Sequence, residues 1–256
     1  MAALCSLLPV GPSDAEAIAR GVDVPSMLNG PLFRTMFPAY STMSPEERDE
    51  MVQWYIDGLE EALADPGDEF YLKACQRHDD GGPGTGDADG YLLPVGFCGW
   101  EVIDRERTCS RAAQTADKQQ QQQQEGQQEG IEGKPPNRNA TSKKQRGNQL
   151  PGTLDVDAWL ALSSRLRTER MRILKGRDNI CRLTFMAVHP DFQRCGIGSV
   201  MLQSVCDETD KAPGRCAYVL AAPEGVPLYS KFGFGVVGEV ETPHGSITSM
   251  LRPAPK

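Results

Sequence analysis

The 256-residue sequence predicts a domain of the α/β class, in which strands and amphipathic helices are layered around a common core. Stretches with the apolar pattern of strands are interleaved with stretches of helical spacing along most of the chain. The run LTFMAVHPDFQRCGIG, residues 183–198, reads as a buried strand that stops at a turn and enters a helix through two glycines. A hydrophobic fraction of 39% is enough to build the core that such layers need.

The first part of the chain predicts a strand followed by two helices. The opening residues read as a strand, and the polar pair Ser13-Asp14 precedes a short helix over AEAIARGV. An apolar loop interrupted by proline and glycine follows over residues 25–38, and it either packs on the protein's own core or lines a substrate pocket. The next helix, over SPEERDEMVQWYIDGLEEALADP, is the best defined because Ser44 and Glu47 form a capping box.

Two strands and a polar tract occupy the middle of the chain. EFYLKACQR and LPVGFCGWEVI are predicted strands, and alternation places Val95, Phe97, Glu101 and Ile103 of the second on one face. From residue 104 to 152 the composition changes to six consecutive glutamines and other polar residues, with almost nothing apolar. Such a tract cannot bury enough surface to offset its ordering entropy. We therefore predict a disordered, glutamine-rich insertion at 104–152 within a single domain of residues 1–256.

The last part of the chain resumes the alternation of helices and strands. LDVDAWLALSSRLRTERMRILKG and GIGSVMLQSVCDETD are predicted helices on either side of the strand that ends at Val188. CAYVLAAPE follows as a strand, VPLYSKFG as a short helix, and FGVVGEVETP with SITSMLRP as a closing pair of strands.

Composition and charge exclude several classes of function. The net charge of -8 argues against binding to nucleic acid or to an acidic membrane surface, and no run is long enough for a membrane span. The eight cysteines form no C-x-x-C pair, and three histidines give no zinc-binding spacing, so we expect reduced thiols and no metal. The opening residues lack the positive charge of a signal peptide, which predicts a cytoplasmic protein. The basic stretch KKQR at 143–146 leaves the nucleus open.

The glycine turn has the features of an anion site. Successive backbone N–H groups at a helix start form a concavity that suits a phosphate, and the side chains of Gln193 and Arg194 add donors. Gly196 and Gly198 let the backbone approach a pyrophosphate without a Cβ. The Walker pattern is absent, and G-x-G-x-x-G fails because Met201 holds the third glycine position. On these residues alone, a plain turn between strand and helix remains the alternative.

Two motifs together are more specific than the turn alone. The run V-x-P-x-x-Q-x-x-G-x-G, Val188 to Gly198, is followed by LYSKFGF, Leu228 to Phe234. In this order and at this separation they resemble the GNAT superfamily of acyl-CoA-dependent N-acyltransferases. The resemblance implies a mixed, mostly antiparallel sheet flanked by helices, and an enzyme that transfers an acetyl group from acetyl-CoA to a primary amine.

The resemblance also implies the residues of the site. The strand before the turn splays from its neighbour and holds the pantetheine arm through the backbone of Phe185, Met186, Ala187 and Val188. The turn and helix start bind the pyrophosphate through Gln193, Arg194, Cys195, Gly196, Ile197, Gly198 and Ser199. By the same resemblance, Tyr229 lies near the thioester sulfur and protonates the leaving thiolate as a general acid, and a tyrosine that only packs its helix is the alternative.

The general base and the acceptor are less defined. Glu101 is a carboxylate on an otherwise apolar strand face and is our candidate base, although a solvated strand-end glutamate and deprotonation through water remain alternatives. Some family members carry an acidic residue where this chain has Arg182. The acceptor is expected to be a small-molecule amine or a lysine side chain. A catalytically silent acyl-CoA-binding module and a scaffold that binds partners through its glutamine tract are the other candidate functions, and the oligomeric state stays open.

Overall fold

The computed structural model describes residues 5–78, 91–104 and 150–255. The insertion predicted at 104–152 therefore lies, apart from its ends, outside the described residues, as does the basic stretch at 143–146. Among the helices of the described ranges, none has the length and apolar character that a membrane crossing requires.

A seven-stranded sheet organises the described residues, with the strand order β1-β2-β3-β4-β5-β7-β6. Neighbouring strands are antiparallel except for β4 and β5, which run parallel. This arrangement confirms the predicted mixed, mostly antiparallel sheet flanked by helices. The strands are β1 Ser6–Pro9, β2 Glu69–His78, β3 Tyr91–Asp104, β4 Asn179–Val188, β5 Cys216–Ala221, β6 Gly235–Thr242 and β7 Gly245–Arg252.

The helices follow the order that the sequence predicts. The capping box is confirmed, because the Ser44 hydroxyl accepts from the backbone N–H of Glu47, whose carboxylate accepts from the N–H of Ser44. A π-helical turn, Ala19–Asp23, connects α1 and α2 without a break. The α-helices are α1 Ala15–Ile18, α2 Val24–Met27, α3 Pro31–Met36, α4 Pro45–Ala64, α5 Val156–Leu174, α6 Ile197–Asp210 and α7 Val226–Lys231.

The prediction of an irregular loop over residues 25–38 is wrong. Most of this segment is helical, because Gly30 is extended and Pro31 occupies the first position of α3, where its missing N–H is not needed. Phe33, Met36 and Phe37 pack into a buried cluster with Met51 of α4. The apolar residues of this segment therefore serve the protein's own core, which was the first of the two alternatives.

Helices cover both faces of the sheet. On one face, Ile197, Met201 and Val205 of α6 pack against Cys98 and Leu183 of the central strands. On the other face, α1, the π-helical turn and α4 pack against Tyr71, Phe97 and Ala187, and α5 packs against β6. We call these the α6 face and the α4–α5 face.

A bulge in β3 changes the predicted alternation. Ala74 pairs with Gly96 and Cys75 with Pro94, so Val95 is an extra residue in β3. Val95 packs in the α6-face cluster while Phe97 packs on the α4–α5 face. The expectation that Val95 shares a face with Phe97 is therefore wrong, because a strict period of two does not continue through a bulge.

Replacement of residues 105–149 by a short Gly/Ser linker is expected to leave the fold intact. Both flanking elements are held by described contacts, since β3 pairs with β2 and β4 and α5 packs against β6. Thermal unfolding followed by circular dichroism should remain cooperative, with unchanged helix and strand signals. Loss of cooperative melting would mean that the replaced residues belong to the core.

Candidate active site

The parallel strands β4 and β5 separate at the middle of the sheet. They pair at only three positions, Ile180 with Cys216, Cys181 with Ala217 and Arg182 with Tyr218. Beyond Arg182, β4 continues to Val188 and stays paired with β3. One edge of the β4 backbone therefore faces a gap instead of a paired strand. Phe185 to Val188, the predicted pantetheine segment, lies along this gap.

A bulge marks the point where the two strands separate. Gly99 pairs with Phe185 and Trp100 with Leu183, which leaves Thr184 as an extra residue of β4. The Thr184 Oγ1 is buried and has no hydrogen-bond partner in the described part of the chain. A Cβ on Gly99 would lie 2.9 Å from this oxygen and 2.8 Å from Cδ1 of Tyr71. Position 99 must therefore be glycine for the strands to keep this geometry, and bulges of this kind concentrate beside active sites.

The turn after β4 is tied back to the end of the strand. The Gln193 side chain donates from Nε2 to the carbonyl oxygen of Val188 at 3.1 Å. His189 Nδ1 accepts from the N–H of Asp191 at 3.2 Å, so this histidine belongs to the turn. The Gln193 amide thus orders the turn, whereas the sequence suggested it as an additional donor to a ligand.

Left-handed backbone conformations direct the amides of the turn. Arg194 has φ of 62° and Gly196 has φ of 88°, and Gly196 is the N-cap of α6 without a side-chain capping bond. The first N–H groups of an α-helix lack intrahelical partners and carry the positive end of the helix dipole. Amides arranged in this way suit an anion, so the predicted phosphate site at this turn is consistent with the backbone geometry and stays a prediction.

Packing between two helices also requires glycine at position 198, in addition to the approach to a pyrophosphate that the sequence suggested. A Cβ at this position would lie 3.1 Å from Cδ2 of Leu228, so the glycine allows α7 to approach α6 closely. This contact connects the turn to the helix that carries Tyr229.

Tyr229 is buried beside the central strands. Its side chain is 5% exposed, lies in the same cluster as Cys98 and Leu183, and contacts the ring of Phe234 at a centroid distance of 5.7 Å. Burial, with a smaller contribution from the Cys98 thiol, raises the pKa of the Tyr229 hydroxyl above its ordinary value. The hydroxyl therefore remains protonated throughout the neutral range, as a proton donor requires.

Glu101 is paired with Arg182, which the sequence singled out only as standing where some family members carry an acidic residue. Arg182 Nε lies 2.5 Å from Glu101 Oε1, and the two side chains are only 16% and 21% exposed. Arg182 is also the last residue of β4 that pairs with β5. Glu101 thus lies at the closed end of the gap with its charge balanced. Its role as a base stays a prediction.

Sequence reasoning missed a buried acid, Asp23, at the end of the π-helical turn. Asp23 is 9% exposed, and among the described residues no side chain forms a hydrogen bond or ion pair with its carboxylate. Arg20, on the same turn, is occupied by Glu16 and Asp49 at 3.1 and 2.8 Å. Burial raises the pKa of Asp23 to about 7. No local signal identifies this residue, because its burial results from the packing of distant elements.

Asp23 lies on the α4–α5 face beside the splayed part of β4. The preceding residue, Val22, belongs to a cluster with Phe97 and Ala187, against which Phe185 packs. On α4, burial and, to a smaller extent, the charge of Asp23 raise the pKa of Tyr55. The carboxylate therefore lies near Tyr55, on a turn whose Val22 packs among apolar and aromatic side chains.

Three loops meet near this face. A Cβ on Gly245, the first residue of β7 after the β6–β7 turn, would lie 3.5 Å from Cγ of Pro31 in α3 and 3.9 Å from Cγ of Pro223, which follows β5. The β6–β7 turn, the start of α3 and the loop after β5 thus approach one another beyond the carboxyl end of β5. Ligands of open α/β sheets commonly bind at such a strand end.

Comparison with known proteins identifies the segment that contains β4, the turn, α6 and Tyr229. Residues 160–236 match the family model described as "Acetyltransferase (GNAT) domain". The serotonin N-acetyltransferase of Mesocricetus auratus is 33% identical over 87 residues, which are 34% of this chain and 42% of that protein. The chain therefore spans less than half the length of this relative.

Solved structures of acetyltransferases resemble the whole chain at low identity. One is described as a histone acetyltransferase HPA2 and related acetyltransferase from Corynebacterium glutamicum, with 16% identity, coverage of 98% and 97% of the two chains, and a TM-score of 0.49. Another is a mosquito arylalkylamine N-acetyltransferase like 5b, with 12% identity, coverage of 98% and 100%, and a TM-score of 0.49.

Substitution of Gly196 by aspartate tests the anion site. A negative side chain on the turn should weaken binding of coenzyme A by at least about tenfold, or about 1.4 kcal/mol, measured by titration calorimetry. Gly214→Asp is a matched control, because Gly214 is also left-handed, with φ of 76° and open space around it, but lies between α6 and β5. Equal affinity in the two variants would contradict an anion site at the turn.

Substitution of Asp23 by asparagine is expected to stabilise the protein at alkaline pH. The pKa rises from an ordinary 3.8 to about 7, so the folded state loses stability as pH rises between these values. At about 1.4 kcal/mol per unit, the penalty above pH 7 is on the order of 4 kcal/mol, and Asp23→Asn removes it. Urea unfolding at pH 8 and pH 4 should show the gain at pH 8 only. A variant that is less stable than the wild type at pH 8 would contradict this.

Proposed function

We propose that the chain, whose residues 160–236 match the GNAT acetyltransferase domain, transfers the acetyl group of acetyl-CoA to a primary amine by direct attack. The observation that carries the proposal is the gap between β4 and β5, which ends at the anion-binding turn. One extended ligand with a pyrophosphate at one end and a thioester at the other fits this arrangement. The relative named serotonin N-acetyltransferase supports an amine as the acceptor.

The backbone holds the acyl donor in this proposal. Backbone groups of Phe185, Met186, Ala187 and Val188 that face the gap bind the amides of the pantetheine arm, as a further strand would. The amides from Arg194 to Ser199 bind the pyrophosphate, and the helix dipole of α6 adds to the attraction. The bulge at Thr184 lies at the closed end of the gap, so the thioester is expected near this residue.

Tyr229 supplies the proton for the leaving group. When the amine attacks the thioester carbonyl, a C–N bond forms and the C–S bond breaks, which leaves a thiolate. The Tyr229 hydroxyl donates its proton to this sulfur and recovers one from the acetylated nitrogen through water. Tyr229 is buried in the α6-face cluster that also holds Cys98, and its ring contacts Phe234.

The acceptor ammonium must lose a proton before it attacks, and two groups are candidates for removing it. Glu101 remains the base that the sequence suggests, but Arg182 already occupies one of its oxygens. The unpaired hydroxyl of Thr184 faces Gly99 and could orient a water, which is the water-mediated alternative. Small-molecule amines and lysine side chains both remain acceptors, and the negative net charge favours cationic ones.

Thiol release from acetyl-CoA with a panel of amines separates the candidate functions. An enzyme releases coenzyme A only when a suitable amine is present. A silent acyl-CoA-binding module shows a thermal shift with the cofactor but no release. A protein with neither response is left with the scaffold function of the glutamine tract, and the acetyltransferase proposal then fails.

Substitution of Tyr229 by phenylalanine separates chemistry from binding. Affinity for acetyl-CoA should be nearly unchanged because the ring remains, whereas kcat should fall by roughly 100-fold or more as the acid is lost. Tyr40→Phe is the matched control, since Tyr40 packs with Phe33 in a different cluster. Full activity of Tyr229→Phe would remove the tyrosine from the mechanism and assign the proton to water.

A further inference from the structure

The chemistry of the acyl donor leaves one buried acid without a role. Asp23 is 9% exposed, and its carboxylate has no cationic or hydrogen-bonding partner among the described residues. Burial of a charge without a partner destabilises a fold, so such a residue persists where a ligand or a reaction needs it. Its π-helical turn is also a conformation that is frequent at functional sites.

We propose that Asp23 binds the ammonium group of the acceptor and takes its proton. The inference rests on the proposed acetyltransferase function and adds the acceptor side of the same site. The inference predicts that the preferred acceptor is a primary alkylamine, which is charged in solution. An acceptor with a carboxylate next to its amine would be repelled by Asp23.

The position of Asp23 supports this role. The π-helical turn contacts both β3 and β4, and its Val22 packs in a cluster with Phe97, Ala187 and Phe185, on the α4–α5 face. Tyr229 lies on the α6 face of the same strands. Asp23 and the proposed acid thus lie on opposite sides of the splayed strand, as separate donor and acceptor sites require.

Charge balance favours Asp23 over Glu101. Glu101 forms an ion pair with Arg182 at 2.5 Å. Asp23 has no such partner, because Arg20, the cation nearest to it in the chain, is paired with Glu16 and Asp49. The elements packed around Asp23 contribute Tyr55 from α4 and apolar residues from β3 and β4. An entering ammonium group therefore meets a single negative charge with no competing cation described beside it.

The surroundings also favour the proton transfer. In an apolar site, a neutral amine and a neutral carboxylic acid cost less desolvation than an ion pair. An N–H bond of the ammonium breaks, an O–H bond forms on Asp23, and the free lone pair of the amine can attack the thioester. The pKa of Asp23, raised to about 7, matches a base that works near neutral pH and returns its proton to water afterwards.

The test compares Asp23→Asn with Glu101→Gln and with Asp57→Asn as a control of equal charge change, because Asp57 is exposed on α4 and accepts a hydrogen bond from Gln53. With 2-phenylethylamine as the acceptor, Asp23→Asn should lower kcat/KM at least about 100-fold at pH 7, with unchanged acetyl-CoA affinity. Between pH 7 and 9 its kcat/KM should rise about tenfold per pH unit, because only the neutral amine reacts, whereas the wild type levels off. Asp57→Asn should retain the wild-type profile.

The possible outcomes are distinguishable. Wild-type activity in Asp23→Asn, or a uniform loss with the wild-type pH profile, would overturn the inference and leave the acetyltransferase function standing. A loss in Glu101→Gln that shows the rising profile, with none in Asp23→Asn, would transfer the role to Glu101. An inactive wild type with every amine would refute the proposed function itself.

Discussion

The early separation of β4 from β5 is the constraint on which the rest of the site depends. Three paired positions hold the two strands together, and the bulge at Thr184 follows directly. The backbone of β4 beyond this point is free to bind a ligand, and the turn at its end carries the amides of α6. Because α7 follows β5, the separation also sets the position of Tyr229. Gly99 and Gly198 permit the two close contacts that keep this arrangement compact.

The two faces of the sheet have different parts in the proposed reaction. The α6 face provides the anion site and a buried hydroxyl, which suit the acyl donor and its leaving thiolate. The α4–α5 face provides a buried acid among aromatic residues, which suits a cationic acceptor. Asp23 lowers the free energy of unfolding when it is ionised, because a buried carboxylate without a partner disfavours the folded state. The ionised form is also the one that the proposed reaction uses. Such a conflict between stability and function is common at active sites.

The sequence predicts most of the fold because periodicity, capping residues and glycine turns are local signals. The capping box at Ser44 and the strand, turn and helix around Gly196 are found where expected. The bulges at Val95 and Thr184 depend on strand pairing, which one sequence does not reveal. Asp23 was not identified from the sequence for the same reason, because its burial depends on packing against elements that are distant in the chain. Glu101 was visible as a carboxylate, but its ion pair with Arg182 appears only across two strands.

The central claim is that the gap and the turn together hold the acyl donor. Backbone hydrogen–deuterium exchange, measured with and without coenzyme A, tests it most directly. We predict that the ligand slows exchange at the amides of 185–188 and 194–199, while exchange in the β6–β7 hairpin stays unchanged. Binding of coenzyme A without protection of either segment, or with protection confined to other elements, would contradict the account.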